Sequence, residues 1–497
     1  MRQLFILLFL GLSLTILPSC RHNRLKTSEK RLSDEIFAEE KAKKEAETTE
    51  LNNQYPEYKN NHSEVLRKKE IRSIDTRRPP IKLNVIEASK NTSDFKLSDL
   101  ASSVSYIKLE TPPDTILTYD PFYYRTSLMS TIKVADGQII FQGIFGVTRF
   151  NMQGEYQETI WKNERGINMD GQFVYWMPNS FFGIMPNNPV SVIDGNIFYA
   201  FTDGNTGTGQ FMKYKPESTI NISIQSQKEV PGLGSVRGDT LLISKQQPFD
   251  RFDFINGISS DTWAGINSKW KAGKTGSLLV TFSSNGDTIC QFTDFDRIVN
   301  FNQSTYRHPI DFTNYYYDGL MTIKQEYNDT VFRLISPNRL LPTYIIDFGE
   351  FKVNYMVGLD PNSDISEKLM LNSLHETNNF ILIRYTQNND SPNNRKKNAV
   401  KFFNVLFDKK QMKLYHQTGF SREPEGIIND IDGGMPFWPD YITPQGEMIK
   451  LVSGKMIKDY INSTKFREST ISEENRKKQL SIGVNLKPSD MVLIYVK

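Results

Sequence analysis

Cysteine is scarce in this chain: the 497 residues contain two, Cys20 and Cys290. A framework of disulfides is therefore excluded, and the fold must be stabilised by packing. Cys290 lies in the apolar run GDTICQF. That setting is typical of a buried, inert thiol rather than of a nucleophile.

Histidine and net charge are also low. The chain has 5 histidines, two of which (His22 and His62) precede residue 80, so a histidine-rich metal centre is not expected. The formal charge is +3. A chain so close to neutrality offers no broad basic face, and we expect no nucleic-acid partner.

The familiar catalytic motifs are missing. Gly273-Lys274-Thr275 lacks the glycine that a phosphate loop needs five positions before Gly273, where Ser268 stands. His375-Glu376 lacks the second histidine of a zinc helix, because residue 379 is Asn379. No Gly-x-Ser-x-Gly turn occurs. No catalytic residue is therefore assigned.

The N-terminus has the layout of a bacterial lipoprotein signal, LFILLFLGLSLTILPSC. Its apolar part, Leu4 to Leu17, has about 14 residues, whereas a membrane-spanning helix needs roughly 20. We expect residues 1–19 to be a signal peptide and Cys20 to carry an acyl chain such as palmitate. A plain secretory signal followed by a coincidental cysteine is the alternative.

Residues 20–79 are charged and poor in aromatics, which favours a tether over a packed domain. A helix start at Ser33, followed by acidic residues and strong helix formers, makes part of the tether a semi-rigid spacer. We expect attachment to a membrane of the cell envelope, the outer membrane in particular. Basic residues directly after Cys20 (Arg21 and Arg24) favour its periplasmic side.

After Pro80 the chain changes to short β-branched and aromatic runs separated by Asp-Gly, Asn-Gly and similar turns. Such alternation predicts strands joined as hairpins, and no long amphipathic helix follows before Leu451, which excludes a βαβ fold. Recurring hairpins predict repeated four-stranded units closed into a ring. The clearest hairpins are Ile132 to Gly143, Val147 to Trp161, Ser191 to Phe201 and Leu279 to Phe292.

The C-terminal segment predicts two short helices and a last strand. The first helix begins at Ser453 and the second at Ser472, and the strand is MVLIYVK. We expect Val492 to Val496 to pair with an N-terminal strand such as Ile81 to Ile86 and so to close the ring.

Four segments resemble one known family. They are LSDLASSVSYIKLETPPDTIL, VTRFNMQGEYQETI, YNDTVFRLISPNRLLPTYIIDFG and IINDIDGGMPFWPDYIT. They are similar to the exported six-bladed β-propeller lipoproteins of Bacteroidetes, a largely uncharacterised family. The resemblance implies an all-β, six-bladed β-propeller over residues 80–497, after a disordered or helical tether and with short C-terminal helices. One departure is NERGINMDGQF (Asn163 to Phe173), where that family often has a glycine-rich loop.

The best acidic cluster is NDIDGG, in which Asp430 and Asp432 are two residues apart. Calcium favours oxygen-rich loops, but a helix-loop-helix calcium site is excluded here, because Gly434 and Tyr441 stand at the fifth and twelfth positions. A turn held by its own side-chain hydrogen bonds is the alternative to a ligand or ion site.

The neighbours Phe437, Trp438 and Asp440 make this loop the preferred ligand-binding patch, together with Asp430 and Asp432. Aromatic faces flanked by polar groups bind sugars or peptides, although most aromatics of such a fold pack between its sheets. We expect a non-catalytic binding or scaffolding module for a glycan or protein ligand, with no cofactor. The alternative is a calcium-dependent hydrolase, similar to lactonases, with its site in the central channel.

Overall fold

In the computed structural model, the described residues form small β-sheets and short helices. The predicted signal peptide, Cys20 and the tether lie outside the described residues, as does most of the departing loop. The described residues are 79–113, 117, 130–135, 137–143, 146–163, 191–193, 196–202, 208–213, 219–224, 232–237, 239–248, 254–267, 277–283, 287–293, 313–360, 362–388, 399–417, 419 and 426–497.

The described strands form six small sheets, numbered here in chain order. Sheet 1 contains β3 (Ser130–Ala135), β4 (Gln138–Gly143), β5 (Gly146–Asn151), β6 (Tyr156–Asn163), β10 (Thr219–Ile224) and β11 (Gly232–Arg237). Sheet 2 contains β7 (Ser191–Ile193), β8 (Asn196–Thr202), β9 (Thr208–Lys213) and β12 (Asp239–Pro248). Sheet 3 contains β13 (Phe254–Ser259), β14 (Thr262–Ile266), β15 (Ser277–Ser283) and β16 (Thr288–Thr293).

The other three sheets lie in the C-terminal half of the chain, and two of them also include an N-terminal strand. Sheet 4 contains β17 (Thr313–Tyr317), β18 (Leu320–Lys324), β19 (Thr330–Ser336), β20 (Arg339–Asp347) and β1 (Ile81–Asn84). Sheet 5 contains β21 (Leu369–Glu376), β22 (Phe380–Gln387), β23 (Lys401–Asp408) and β24 (Lys413–His416). Sheet 6 contains β25 (Tyr441–Ile442), β26 (Met448–Ser453), β27 (Met491–Val496) and β2 (Val104–Leu109).

Helices are few and short among the described residues, and none of them is long and apolar enough to cross a membrane. A side-chain cap from Ser453 and another from Ser472 start the two predicted C-terminal helices, which confirms both. The helices are α1 (Val85–Ser89), α2 (Tyr355–Leu359), α3 (Gly454–Ile461), α4 (Thr464–Arg467) and α5 (Glu473–Asn485), with 3₁₀ turns at Leu97–Asp99 and Gly349–Phe351.

Each sheet contacts the next, and four of the six pairs share an apolar cluster. One apolar cluster joins sheets 4 and 5, another joins 5 and 6, a third joins 6 and 1, and a fourth joins 2 and 3. The hairpin β10–β11 leaves sheet 2 between β9 and β12 and pairs with β6, which joins sheets 1 and 2. Sheets 3 and 4 meet where the Thr281 hydroxyl donates to the Pro337 carbonyl at 2.5 Å.

These contacts give an all-β, propeller-like arrangement of small sheets, as the sequence predicted. All four predicted hairpins are confirmed by the pairings β3–β4, β5–β6, β7–β8 and β15–β16. The predicted burial of Cys290 is also confirmed. The number of six blades stays a prediction, because the sheets are not equal copies: one has six strands, one has five and four have four.

The closing strand pair differs from the expected one. The last strand, β27, pairs antiparallel with β2, from Val104↔Val496 to Leu109↔Met491. The expected partner, β1, instead extends sheet 4 by pairing parallel with β20. Both N-terminal segments are short β-branched runs, so their local pattern does not distinguish them. The closure is therefore made by strands from both ends of the unit, but with a later N-terminal strand.

Glycine permits the close contact between sheets 1 and 6. Gly154, in the β5–β6 turn, has φ +84°, and a Cβ atom there would lie 2.1 Å from the carbonyl oxygen of Lys108 in β2. Its own carbonyl accepts from the Glu110 backbone N–H at 2.8 Å. Any side chain at this position would separate the two sheets, since it would meet backbone rather than a movable side chain.

The closing strand can be tested at Ile494, which is fully buried and pairs with both Tyr106 and Lys450. We expect Ile494→Ala to lower the free energy of unfolding by about 2–5 kcal/mol, because it leaves a cavity between packed sheets. Denaturant unfolding followed by circular dichroism measures this change. The matched control is Val484→Ala, since Val484 is 77% exposed. Equal stability of the two variants would contradict the closure.

Candidate functional site

Asp430, the first residue of the predicted loop patch, is hydrogen-bonded to a neighbouring 3₁₀ turn. Its carboxylate accepts hydrogen bonds from the Ser98 backbone N–H at 3.0 Å and from the Ser98 hydroxyl at 2.7 Å. Burial would raise the pKa of Asp430, but these two bonds outweigh it and the pKa is lowered. Asp430 thereby joins the loop to the 3₁₀ turn Leu97–Asp99.

Asp432 is buried and has several donors around it. Its Oδ1 accepts from the Asn429 side chain at 2.8 Å, from the Gly434 backbone N–H at 3.1 Å and from the Tyr106 hydroxyl at 3.3 Å. Its Oδ2 lies 3.3 Å from the Lys478 ammonium of α5. This is the locally hydrogen-bonded turn that the sequence left open as an alternative, here also bonded to β2 and α5.

Phe437 and Asp440 hold the same loop against sheet 6. Phe437 is fully buried in the cluster between sheets 5 and 6, and its backbone exchanges hydrogen bonds with Ile427 at 2.7 and 2.9 Å. Asp440 accepts from the Leu451 backbone N–H at 2.8 Å. The loop patch stays a prediction as a ligand site, but these contacts give Phe437 and Asp440 a role in the fold.

Trp438 is the member of the patch that contacts polar side chains of sheet 5. Its indole N–H donates to the Ser373 hydroxyl at 2.9 Å, and the Arg384 guanidinium lies 4.3 Å from its ring centroid. The His375 ring meets it edge-on at 6.4 Å. Burial, and after it the charge of Arg384, lowers the pKa of His375 to about 3. His375 is therefore neutral at physiological pH and adds no charge here.

The first strands of the sheets converge on Tyr316, in the middle of the tyrosine run of β17. Its hydroxyl donates to the Gly257 carbonyl of β13 at 2.5 Å and lies near the Ser191 side chain of β7. Its ring lies 5.9 Å from the Lys133 ammonium of β3. Burial raises the pKa of Tyr316, and the nearby Tyr441 of β25 adds to that rise. Five sheets thus meet at one side chain; the axial cluster is Lys133, Ser191, Gly257, Tyr316 and Tyr441.

Hydrogen bonds hold the centre of the axial cluster in place. The Gly257 backbone N–H donates to the Ser191 hydroxyl at 3.0 Å, while the Gly257 carbonyl accepts from Tyr316. A Cβ atom on Gly257 would lie 2.3 Å from the Cδ1 atom of Ile193, so a larger residue here would require that side chain to move. The Tyr316 hydroxyl is therefore held by Gly257, which Ser191 holds in turn.

We infer that the axial cluster borders a recess, called here the axial recess. Lys133, Tyr316 and Tyr441 come from three different sheets, and each of these residues is partly exposed. Burial lowers the pKa of Lys133 to about 8 and raises that of Tyr441 to about 12.

The chemistry of the recess is that of hydrogen-bond donors. The pKa of Tyr316 is raised by burial, so both tyrosines keep their protons at neutral pH, and Lys133 is the cation among them. Across the described parts of the chain, no three acidic, histidine or cysteine side chains lie close enough to share a metal ion. Such a recess is suited to holding a ligand by its acceptor atoms.

A second polar group, the Glu376 cluster (Glu376, Arg333, Lys409, Tyr315 and Tyr344), joins sheets 4 and 5. Lys409 and the Tyr344 hydroxyl contact one oxygen of the fully buried carboxylate at 2.7 and 2.8 Å. Arg333 and the Tyr315 hydroxyl contact the other at 2.5 and 2.8 Å. Burial raises the pKa of Glu376, but the two cations outweigh it and the pKa is lowered. All its acceptor positions are used within the protein.

Local sequence patterns do not reveal the relationship among these residues. The tyrosine run of β17 is one aromatic run among many, and Lys133 is one polar residue of a predicted hairpin. A lysine between apolar neighbours in a buried strand was the available signal. Which edge of a sheet lies at the axis depends on the packing of distant sheets, which the local pattern does not contain.

The chain belongs to a family described as a domain of unknown function (DUF4933), which matches residues 64–463. No curated protein matches the chain.

Solved structures of low identity are similar to it. One is described as a "Putative exported protein" from Bacteroides fragilis, with 12% identity, a TM-score of 0.43, and coverage of 84% of this chain and 99% of that one. Another is a member of the DUF4221 family from Bacteroides vulgatus, with 9% identity, a TM-score of 0.36, and coverage of 80% and 97%.

The Glu376 cluster can be tested by Glu376→Gln. We expect a loss of about 3–5 kcal/mol in unfolding free energy, because an amide leaves two cations without their carboxylate. In the parent chain this stabilisation is present above the ordinary glutamate pKa of 4.5 and is lost as pH falls through the lower folded-state pKa. Denaturant unfolding between pH 3 and 7 measures both effects.

Glu87→Gln is the matched control for Glu376→Gln, because Glu87 of α1 forms an exposed ion pair with Lys90, the residue after the helix. We expect the control to be nearly neutral. A Glu376→Gln variant as stable as this control at pH 7 would contradict the role of the cluster.

Proposed function

We propose that this protein is an exported, lipid-anchored binding module that holds a glycan or protein ligand in its axial recess without transforming it. In this proposal the six sheets are the six blades of a β-propeller, and residues 20–79 connect it to the lipid on Cys20. The acyl chain places the protein at a membrane of the cell envelope, on the periplasmic side of the outer membrane.

The observation that carries the binding role is the convergence of five sheets on Tyr316. Because each neighbour of Tyr316 is supplied by a different sheet, the positions of these groups depend on the packing of five sheets. A preorganised recess loses little conformational entropy when a ligand enters it. Rigid placement of a few polar groups in a concave site is the common design of ligand pockets.

The predicted loop patch fits the same proposal through Trp438. Its ring is held by Ser373 and Arg384, and it lies next to β21, the first strand of sheet 5. Trp438 itself is 4% exposed and belongs to the apolar cluster between sheets 5 and 6. In this proposal all five residues of the patch, Asp430, Asp432, Phe437, Trp438 and Asp440, therefore act by holding the loop that the ligand would contact.

The competing calcium-dependent hydrolase needs carboxylates that converge on one ion. The axial cluster has an ammonium and hydroxyl groups in the corresponding place, and Glu376 is occupied by two cations. These residues favour binding over metal-assisted hydrolysis.

The membrane anchor is tested by mass spectrometry of the protein purified from membranes of a bacterium that processes lipoproteins. We expect the mature N-terminal peptide to begin at Cys20 and to carry acyl chains. The control is Cys20→Ser, which should lose the acyl mass. An unmodified thiol at Cys20 in the exported protein would contradict the anchor and leave the binding role untouched.

The binding role is tested on arrays of neutral glycans, acidic glycans and peptides, probed with the mature chain in detergent. We expect at least one class to bind, and we expect Tyr316→Ala to weaken that binding at least tenfold. Met356→Ala, at an exposed position of α2, is the control. Circular dichroism verifies that both variants are folded. A blank result on all arrays, or binding that Tyr316→Ala leaves unchanged, would overturn the proposal.

A further inference from the structure

We propose that the axial recess recognises an oxyanion, and that Lys133 is the residue that binds it. The inference rests on the proposed function, since it names the chemistry of the ligand for the same recess. The group that fits is a single carboxylate, sulfate or phosphate on a small ligand.

The first observation is that no carboxylate of the described residues pairs with the Lys133 ammonium. Burial lowers the pKa of Lys133. In the part of the chain that the structure describes, its ammonium faces the Tyr316 ring, 5.9 Å away. The buried Glu376 shows the contrast, since this carboxylate is matched by both Arg333 and Lys409.

An uncompensated ammonium in such surroundings destabilises the free protein. Removing a charge from water costs several kcal/mol unless a partner of opposite sign replaces the lost hydration. A tyrosine face at 5.9 Å restores only a small part of that energy, about 0.5–1 kcal/mol for a typical cation–π contact. An arriving anion would restore the remainder, so binding energy is available at this position.

The second observation is independent of Lys133. The side-chain amide nitrogens of Asn256 and Asn314 are buried and have no hydrogen-bond partner. Asn256 directly precedes Gly257 in β13, and Asn314 is two residues before Tyr316 in β17, on the same face of that strand. Asn256 is 2% exposed. Buried donors without acceptors are rare, and they carry a penalty that an incoming acceptor would remove.

All these groups favour the same kind of guest. Lys133 offers a positive charge, and the unpaired asparagine amides lie on β13 and β17, the strands that carry Gly257 and Tyr316. The hydroxyls of Ser191 and Tyr316 are bonded to Gly257 and hold the recess in shape. A metal cation is disfavoured by the ammonium, and a neutral ligand would leave the charge uncompensated. An oxyanion compensates the charge.

The first arm of the test labels Lys133 chemically in the mature chain. Pyridoxal 5′-phosphate carries an aldehyde and a phosphate; the lysine amine condenses with the aldehyde, water leaves, and added borohydride supplies the hydride that reduces the imine to a stable amine. We expect the adduct at Lys133 at a concentration at least tenfold lower than with pyridoxal, which lacks the phosphate. Peptide mass spectrometry locates the adduct. Equal labelling of Lys133 by both reagents, or none, would overturn the proposal.

An exposed lysine provides the internal control for the labelling. Lys455 of α3 is 68% exposed at its side chain and pairs with Asp459. We expect little discrimination between the two reagents there, because Lys455 lies on an open surface. Inorganic sulfate should protect Lys133 and leave Lys455 labelled. Sulfate protection of both lysines to the same extent would count against a site at Lys133.

The second arm compares melting temperatures with matched ligands that differ in one group: glucose, glucuronate, glucose 6-sulfate and glucose 6-phosphate, with triglutamate as the acidic peptide. We expect at least one anionic member to raise the melting temperature and glucose to leave it unchanged. The member that acts identifies the source of the oxyanion.

Variants at Lys133 and Lys455 complete this arm. Lys133→Met should melt higher than the parent without ligand, because it removes the desolvated charge, and should lose the ligand shift. Lys455→Met should keep the shift. An anion shift that Lys133→Met retains overturns the proposal. If neutral ligands bind through Tyr316 and anions do not, the oxyanion proposal is overturned and the proposed binding function stands. The array experiment tests that function separately.

Discussion

The pairing of β2 with β27 is the constraint on which the rest of the structure depends. Ser105 and Tyr495, which are 390 residues apart, lie on these two strands and are hydrogen-bonded. Because sheet 6 is completed by a strand from the N-terminal part of the unit, it can pack on sheet 5 on one side and on sheet 1 on the other. A chain of hairpins without this pairing would leave two free ends and exposed strand edges.

Closure also explains the composition of the recess. When sheets pack around a common centre, their first strands are brought together, and residues such as Lys133 and Tyr316 become neighbours although they are far apart in sequence. Their surroundings are dense, so charges there are poorly solvated. The Glu376 cluster and Lys133 show two outcomes of poor solvation. The buried Glu376 carboxylate is matched by two cations, which stabilises the fold. Lys133 has no carboxylate partner among the described residues, which is the pattern expected of a binding site.

Local features of the fold could be predicted from the sequence, and long-range ones could not. Ser453 and Ser472 predict their helices because a capping hydroxyl acts within one turn, and the hairpin of β3 and β4 is predicted by its Asp-Gly turn. The prediction that β27 pairs with Ile81 to Ile86 was wrong, because two N-terminal segments have the same strand character. The loop around Asp432 was found by its acidic spacing, but its donors, Tyr106 and Lys478, come from distant elements. No local pattern identifies Lys133 either, because its neighbour Tyr316 comes from a distant strand.

The most direct measurement is the titration of individual lysines by NMR in the mature chain without ligand, with Lys133 assigned by its loss in Lys133→Met. The account predicts that Lys133, identified by the signal that disappears in the variant, titrates with a pKa near 8, well below the ordinary value of 10.5. A pKa of Lys133 at the ordinary value would mean that its ammonium is fully hydrated, and the converging first strands would then enclose no desolvated recess.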